Sequence, residues 1–324
     1  MKKKIAALLL CAGAALFAGS VTASDLVDAK LTAYAPTSGV SGNIKSEGSD
    51  TMNNLMTLWA EGFKKLYPSI NVEIVGKGSS TAPPALIAGT STFGPMSRKM
   101  KAKEMDSFEK KFGYKATELA TSIDMLAVYV HKDNPIKGLN FPQVDAIFSS
   151  TRKHGFTKDI KTWGDAGLGG EWASKPITAY GRNSASGTYA YFKKHALGKG
   201  DYKNSVKEQP GSSAVVTSIA GDLGGIGYSG IGYKTADVKA VALAREGNGF
   251  VAAEPANAYS GDYPLSRFLW LSVNYKPGSQ LDTLRAEFIK YIFSREGQEV
   301  VVKDGYFPVS AALAKRELAK LGLN

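Results

Sequence analysis

Cysteine is nearly missing from this 324-residue chain, which carries only Cys11. A lone cysteine closes no disulfide within the chain, so packing alone must hold the fold. Histidine is scarce as well. His131, His154 and His195 lie far apart without metal-ligand spacing, and no cluster of acids takes their place. That argues against a metal centre. No block of five or six like charges appears, which argues against a nucleic-acid-binding tail. Beyond the first two dozen residues no apolar run is long enough to cross a bilayer. Internal repeats and low-complexity tracts are also missing.

What is present begins with the N-terminus. Lys2, Lys3 and Lys4 precede the apolar run from Ile5 to Ala18, and Val21-Thr22-Ala23 supplies a small-residue cleavage site before Ser24. This is the layout of a secretory signal peptide over residues 1–23, which predicts an exported mature chain. Leu10 stands before Cys11 where lipidation wants a small residue, and no twin-arginine pair precedes the run. The formal charge of +11 falls to about +8 without the signal lysines. A moderately basic surface suits a small anion as well as any acidic partner, and charge alone does not choose.

About 300 residues without a disulfide are enough for two domains. A polar segment, residues 24–42, reads as an extended arm. From Ile44 onward strand and helix patterns alternate. Met52, Leu55, Met56, Trp59, Phe63 and Leu66 fall at helical spacing before Pro68, and Ile70, Val72 and Ile74 alternate as a strand. Further strands are expected over 92–96, 126–130, 177–180, 238–243 and 268–273, with helices over 100–112, 141–148, 186–197 and 215–223. Two amphipathic helices, 284–293 and 311–321, close the chain. The pattern predicts an α/β fold with mixed, mostly parallel sheets covered by helices. Such sheets take ligands at Gly/Ser turns beyond the carboxyl ends of their strands.

Three turns fit that description: Gly48-Ser49-Asp50-Thr51-Met52, Gly78-Ser79-Ser80-Thr81 and Arg182-Asn183-Ser184-Ala185-Ser186-Gly187-Thr188. Each joins small residues and hydroxyls to a helix start whose N–H groups lack partners. An oxyanion accepts those hydrogens at the positive end of the helix dipole, and Arg182 adds a charged donor. Ser, Thr and Asp before a helix are also ordinary caps, so the turns alone leave capping and ligand binding both open.

Taken in order, these turns resemble those of periplasmic phosphate-binding proteins of the phosphate-specific ABC transporter. So do Phe93-Gly94-Pro95-Met96-Ser97-Arg98, Gly225-Ile226-Gly227-Tyr228, Tyr263-Pro264-Leu265-Ser266-Arg267 and Gly305-Tyr306-Phe307-Pro308. The likeness spans about residues 41–310. It implies a two-domain Venus-flytrap fold, with one lobe from 41–127 plus 268–324, the other from 128–267, and hinge crossovers near 128–132 and 265–269. It also implies inorganic phosphate as ligand, a membrane permease as partner, no cofactor, no nucleic acid and a monomeric state. By position, Thr51, the Met52 N–H, Ser79, Arg182, Ser186, the Gly187 N–H and Thr188 would contact the ion. In the best-known members the loop matching 93–98 ends in an aspartate that accepts the ligand's proton, and a further aspartate steadies the arginine. Arg98 and Ser184 stand there instead. Asp124 interrupts an apolar strand and is the substitute acceptor, paired with Arg98 or leaving Arg98 to the ion; Asp50 is the fallback.

Other readings remain. A receptor for another tetrahedral oxyanion, sulfate or molybdate, gains from the loss of the aspartate, because a carboxylate acceptor rejects an unprotonated anion. A phosphatase or esterase using Ser186 or Ser229 lacks an identifiable base, which favours a binding protein over an enzyme. The string Gly225-Ile226-Gly227-Tyr228-Ser229-Gly230 matches a dinucleotide fingerprint by letter, but it follows a helix-like stretch and opens no helix.

Overall fold

In a computed structural model describing residues 26–245 and 247–323, one long strand organises everything else. The predicted signal peptide, residues 1–23, lies outside the described residues. The first part of the chain forms strands β1 (Gly42–Glu47), β2 (Ile70–Val75), β3 (Phe93–Met96) and β4 (Thr117–His131). Helices α1 (Asn53–Leu66), α2 (Ala82–Ala88) and α3 (Ala102–Phe112) connect them. The middle supplies β5 (Gly138–Asn140), α4 (Phe141–Phe148), β6 (Thr178–Arg182), α5 (Gly187–His195), β7 (Lys207–Gln209), α6 (Ser212–Ala220) and β8 (Gly225–Gly230). Then come β9 (Val238–Ala240), β10 (Ala242–Ala244), α7 (Pro255–Ser260), β11 (Ser266–Val273), α8 (Thr283–Ile292), α9 (Arg295–Lys303) and α10 (Ala311–Ala319).

The main sheet runs β2-β1-β3-β11-β4-β8-β6-β7, with β9 also on β4, and β10 pairs with β5 in a separate ribbon. Pairings outside β4 and β11 are parallel, while every pairing made by those two strands is antiparallel. The first half of β4 pairs with β11 and the second half with β8 and β9. A single strand therefore passes from one half of the molecule into the other, and Asp124 sits at the changeover.

Each half buries its own core. In the first, Leu55, Met56, Trp59 and Phe63 line the inner face of α1 and pack on Phe288 and Ile292 of α8. Their i, i+4 spacing places them on one stripe, and burial of each contributes about 1.5–3 kcal/mol. The Trp59 indole N–H donates to the Gly297 carbonyl at 2.8 Å, so this buried ring leaves no donor unmatched. The opposite face of that sheet is covered by Leu86, Met100 and Phe108. In the second half, Phe148, Trp163, Phe192 and Tyr228 form the largest cluster, and Val215 and Ile219 of α6 cover the other face.

Several elements differ from expectation. The 24–42 segment is no bare polar arm, because Val27, Leu31 and Val40 are buried in the first core. Three helices rather than two close the chain, since α9 intervenes, capped by the Ser294 hydroxyl on the Gly297 N–H. The Gly225–Gly230 stretch, where no strand is expected, is the buried strand β8, paired on both sides, in keeping with the rejection of a dinucleotide fingerprint there. The 238–243 strand is two short ones, β9 and β10.

Candidate functional site

The three Gly/Ser turns meet between the two halves. The first is a 3-10 turn, Asp50–Met52, opening α1; the second, Ser79–Thr81, opens α2; the third leads through Ser186 into α5. Thr51 Oγ1 lies 2.8 Å from Thr188 Oγ1 and 3.4 Å from Ser212 Oγ. The Ser79 and Ser97 hydroxyls are 3.2 Å apart, and the Ser97 N–H donates to Ser79 Oγ at 3.0 Å. Thr188 Oγ1 reaches Ser97 Oγ at 3.4 Å, closing the group. All five residues are almost wholly buried. Five hydroxyls brought together away from water form a dense patch of donors and acceptors, each costly to leave unmatched.

Two arginine–aspartate pairs flank the hydroxyls. Arg182, on the last position of β6, reaches Asp50 Oδ2 at 3.1 Å and donates to Ser212 Oγ at 2.6 Å. Asp50 Oδ2 also accepts the Ser212 N–H at 2.8 Å. Burial pulls the Arg182 guanidinium below its ordinary value, with Asp50 working against the shift. On the other side, Arg267 donates from Nε to Asp124 Oδ2 at 2.8 Å, and from Nη2 to Thr188 Oγ1 at 2.9 Å. Its Nη1 donates to the Ser97 carbonyl at 3.0 Å. Asp124 is fully buried and takes a further bond from the Ile231 N–H at 3.0 Å. Two cations thus face two carboxylates, and the cluster is neutral as a whole.

Backbone geometry allows the approach. A Cβ on Gly187 would lie 2.3 Å from Ser79 Oγ and 2.6 Å from Ser97 Oγ, so no other residue fits against that serine pair. Gly78 has φ +120° and faces the Ala185 carbonyl across the cleft, where a Cβ would come within 2.6 Å. Ser80 donates both its N–H and its hydroxyl to that same carbonyl, at 3.1 and 2.6 Å. Tyr233 and Tyr306 donate to the carbonyls of Asp50 and Thr51, each at 2.9 Å. Burial holds both phenols well above their ordinary pKa, so they stay neutral donors.

The residues singled out in the sequence fall into two groups. Thr51, Ser79, Arg182, Gly187, Thr188 and Asp124 gather at the cluster. Three engage elsewhere. The Met52 N–H donates to the Ser49 carbonyl at 3.2 Å, and Ser186 Oγ caps α5 by accepting from the Thr188 and Tyr189 N–H groups. Arg98 forms a two-pronged pair with Glu104, both contacts at 2.7 Å. The expected Arg98–Asp124 pair is corrected accordingly: Arg267, directly opposite Asp124 in the sheet, takes that place. Ser184 is exposed, and the carboxylate beside Arg182 is Asp50, from across the cleft. Arg267, Ser97 and Ser212 were not picked out as site residues. Arg267 had a readable signal, a charge in phase with buried Leu269 and Leu271 on an alternating strand. Ser229, fully buried in β8, donates to the Ser212 carbonyl and has no base beside it among its hydrogen-bond partners. Among the described residues no group of three metal-ligating side chains occurs, and no helix is long and apolar enough to cross a membrane.

Comparison with known proteins fits this architecture. The model of the PBP superfamily domain matches residues 33–296. The phosphate-binding protein PstS of Pseudomonas aeruginosa is 56% identical over 324 residues, covering 100% of this chain and 99% of that protein. The Bacillus subtilis phosphate-binding protein PstS is 29% identical over 86% of this chain and 84% of its own. A solved structure described as a phosphate ABC transporter substrate-binding protein with bound phosphate, from Clostridium perfringens, superposes with a TM-score of 0.69. It is 26% identical and covers 83% of this chain and 100% of that one. An ABC-type phosphate transport receptor from Vibrio cholerae, at 22% identity and TM-score 0.63, shares the fold. This chain therefore belongs to the PBP superfamily and, within it, to the family of PstS phosphate-binding proteins.

Proposed function

We propose that the chain is the periplasmic receptor that binds inorganic phosphate in its interlobe cleft and delivers it to the membrane permease of an ABC importer. The observation that carries this reading is the buried, neutral cluster of hydroxyls between Arg182 and Arg267, supplied by both halves of the molecule. Such a cluster replaces the hydration of a small oxyanion with fixed donors, and closure drawn from both sides couples binding to shape. The lobes are residues 41–127 plus 268–324 and residues 128–267, with 128–132 and 265–269 as hinge. Packing of Met125 and Leu126 into the second core supports a boundary at or just before the first crossover.

The ion contacts Thr51, Ser79, Thr188 and the Gly187 N–H, with charge supplied by Arg182 and Arg267; the Met52 N–H and Ser186 serve through the helix starts they shape. Arg98 acts through its loop, since its pair with Glu104 and its bond to the Lys99 carbonyl fix the segment that carries Ser97. Asp124 accepts the ligand's proton, and a fully ionised sulfate meets that carboxylate with no hydrogen between them. An unmade buried pair costs about 1–3 kcal/mol, and each 1.4 kcal/mol is about tenfold in affinity. Calorimetric titration with phosphate and sulfate tests the reading. The wild type is expected to prefer phosphate by about 5- to 150-fold on that arithmetic, and Asp124→Asn to narrow the gap. Equal affinity of the wild type for both ions would replace phosphate with a broader oxyanion class. An unchanged preference in Asp124→Asn would move the acceptor role to Asp50.

A further inference from the structure

The two ends of the cluster are sealed differently. At the Arg182 end the halves are stitched together by the Ser80 bonds to Ala185, the Ser212–Asp50 bond and the Arg182–Asp50 pair. At the Arg267 end a cavity of about 440 Å3 opens between the halves. Arg267 lies in its wall, and the same guanidinium reaches inward to Thr188. The rest of the wall sets basic side chains among apolar and aromatic ones such as Met100, Tyr191 and Trp270. Lys99 and Lys101 come from the loop after β3, and Lys194 comes from α5 on the facing lobe, all three exposed. Lys99 Nζ is held 4.4 Å over the ring of Trp270, which fixes that charge at the cavity wall. Arg98, also lining the cavity, is matched by Glu104. None of the three lysines makes an ion pair among the described residues.

We propose that this basic vestibule is the port through which the anion enters, with Lys99, Lys101 and Lys194 steering it and Arg267 passing it inward. A cleft lined by one sign of charge focuses the field and raises the arrival rate of an oppositely charged ligand. Three unpaired ammonium groups on two facing lobes do this before closure and after it. Arg267 belongs both to the vestibule wall and to the inner cluster, so an incoming oxygen exchanges one donor of the guanidinium for another without passing through an uncharged gap. At the Arg182 end the same approach is crossed by the Ser80–Ala185, Ser212–Asp50 and Arg182–Asp50 contacts.

This inference rests on the phosphate reading, and its test separates the two. Association of phosphate is followed by stopped-flow intrinsic fluorescence at low and high ionic strength, in the wild type and in Lys99→Gln/Lys101→Gln/Lys194→Gln. A control, Lys64→Gln/Lys65→Gln/Lys315→Gln, removes the same net charge at exposed lysines outside the vestibule wall. The vestibule variant is expected to lose about tenfold in association rate at low salt. The loss should shrink as screening rises, with the dissociation rate unchanged within about twofold and the control close to wild type. Equal losses in both variants would overturn the port. So would a slower rate that salt does not restore, a wild-type rate indifferent to ionic strength, or an effect confined to dissociation. A wild type that takes up no phosphate in the calorimeter would overturn the receptor reading and the port with it.

Discussion

The two arginine–aspartate pairs of the cleft share their chemistry and the burial of their arginines, and differ in how the fold brings the partners together and in the exposure of the carboxylate. Arg267 and Asp124 are register partners on adjacent antiparallel strands, with side chains 2% and 0% exposed. Sheet pairing alone sets them side by side, so the pair exists wherever β4 and β11 are paired. Arg182 and Asp50 come from opposite sides of the cleft and meet only when the halves do; Asp50 keeps 22% of its side chain in water. A buried pair loses heavily when one partner goes, because the other is left as an uncompensated charge. At the second pair the arginine is equally buried, at 2%, and only Asp50 reaches the rim, so water takes over at the carboxylate that its loss leaves behind. The first is thus set by the sheet and the second by contact between the halves.

Arg267→Met should have the largest effect. It strands Asp124 against Ile231 in the interior, at a cost of about 3–5 kcal/mol, and thermal unfolding of the ligand-free protein should register it. Arg182→Met should reverse the balance. A hydrogen bond to a charged group is worth about 1.5–3 kcal/mol, about 10- to 150-fold in phosphate affinity. The ligand-free protein should melt within a few degrees of wild type, because Asp50 keeps the Ser212 N–H and water. Equal melting losses in the two variants would erase the distinction between a pair set by the sheet and a pair set across the cleft.

The sequence shows the same division. Helix α1 was legible because four large apolar side chains, Leu55, Met56, Trp59 and Phe63, fall on one stripe, and the Gly/Ser turns were legible because backbone N–H groups at helix starts have few other uses. Arg267 stood inside a recognised motif without a role. Its partner is 143 residues away along the chain, and only the antiparallel pairing of β11 with β4 brings them together. Asp124 stands out as a charge in an apolar strand, but its partner does not: the sequence offers Arg98 either to Asp124 or to the ion. Helix α9 was missed because Val300, Val301 and Val302 favour a strand and Gly297 breaks the helical pattern. The same glycine lets the backbone pack against the Tyr291 carbonyl, which a Cβ would approach to 2.0 Å. β8 was hidden because four of its six residues are glycine or serine, the composition of a turn.

The smallest expected effect lies behind the rim pair. Asp304 follows α9 and influences the phenols of Tyr233 and Tyr306, which hold the Asp50 and Thr51 carbonyls. Burial raises its carboxyl from the ordinary 3.8 to about 7. Between those values the folded protein keeps a proton that the unfolded chain releases, so stability falls as pH rises through the window and the full cost persists above about pH 7. Asp304→Asn removes the ionisation. The variant should match wild type in melting temperature near pH 4 and exceed it at pH 8. Because the group is not wholly shielded from water, the gain is about 1–2 kcal/mol rather than the full shift, or a few degrees in a protein of this size. If the variant instead differs from wild type equally at both pH values, the carboxyl titrates like an ordinary surface acid. The rim would then owe its hold on Asp50 to the phenols alone.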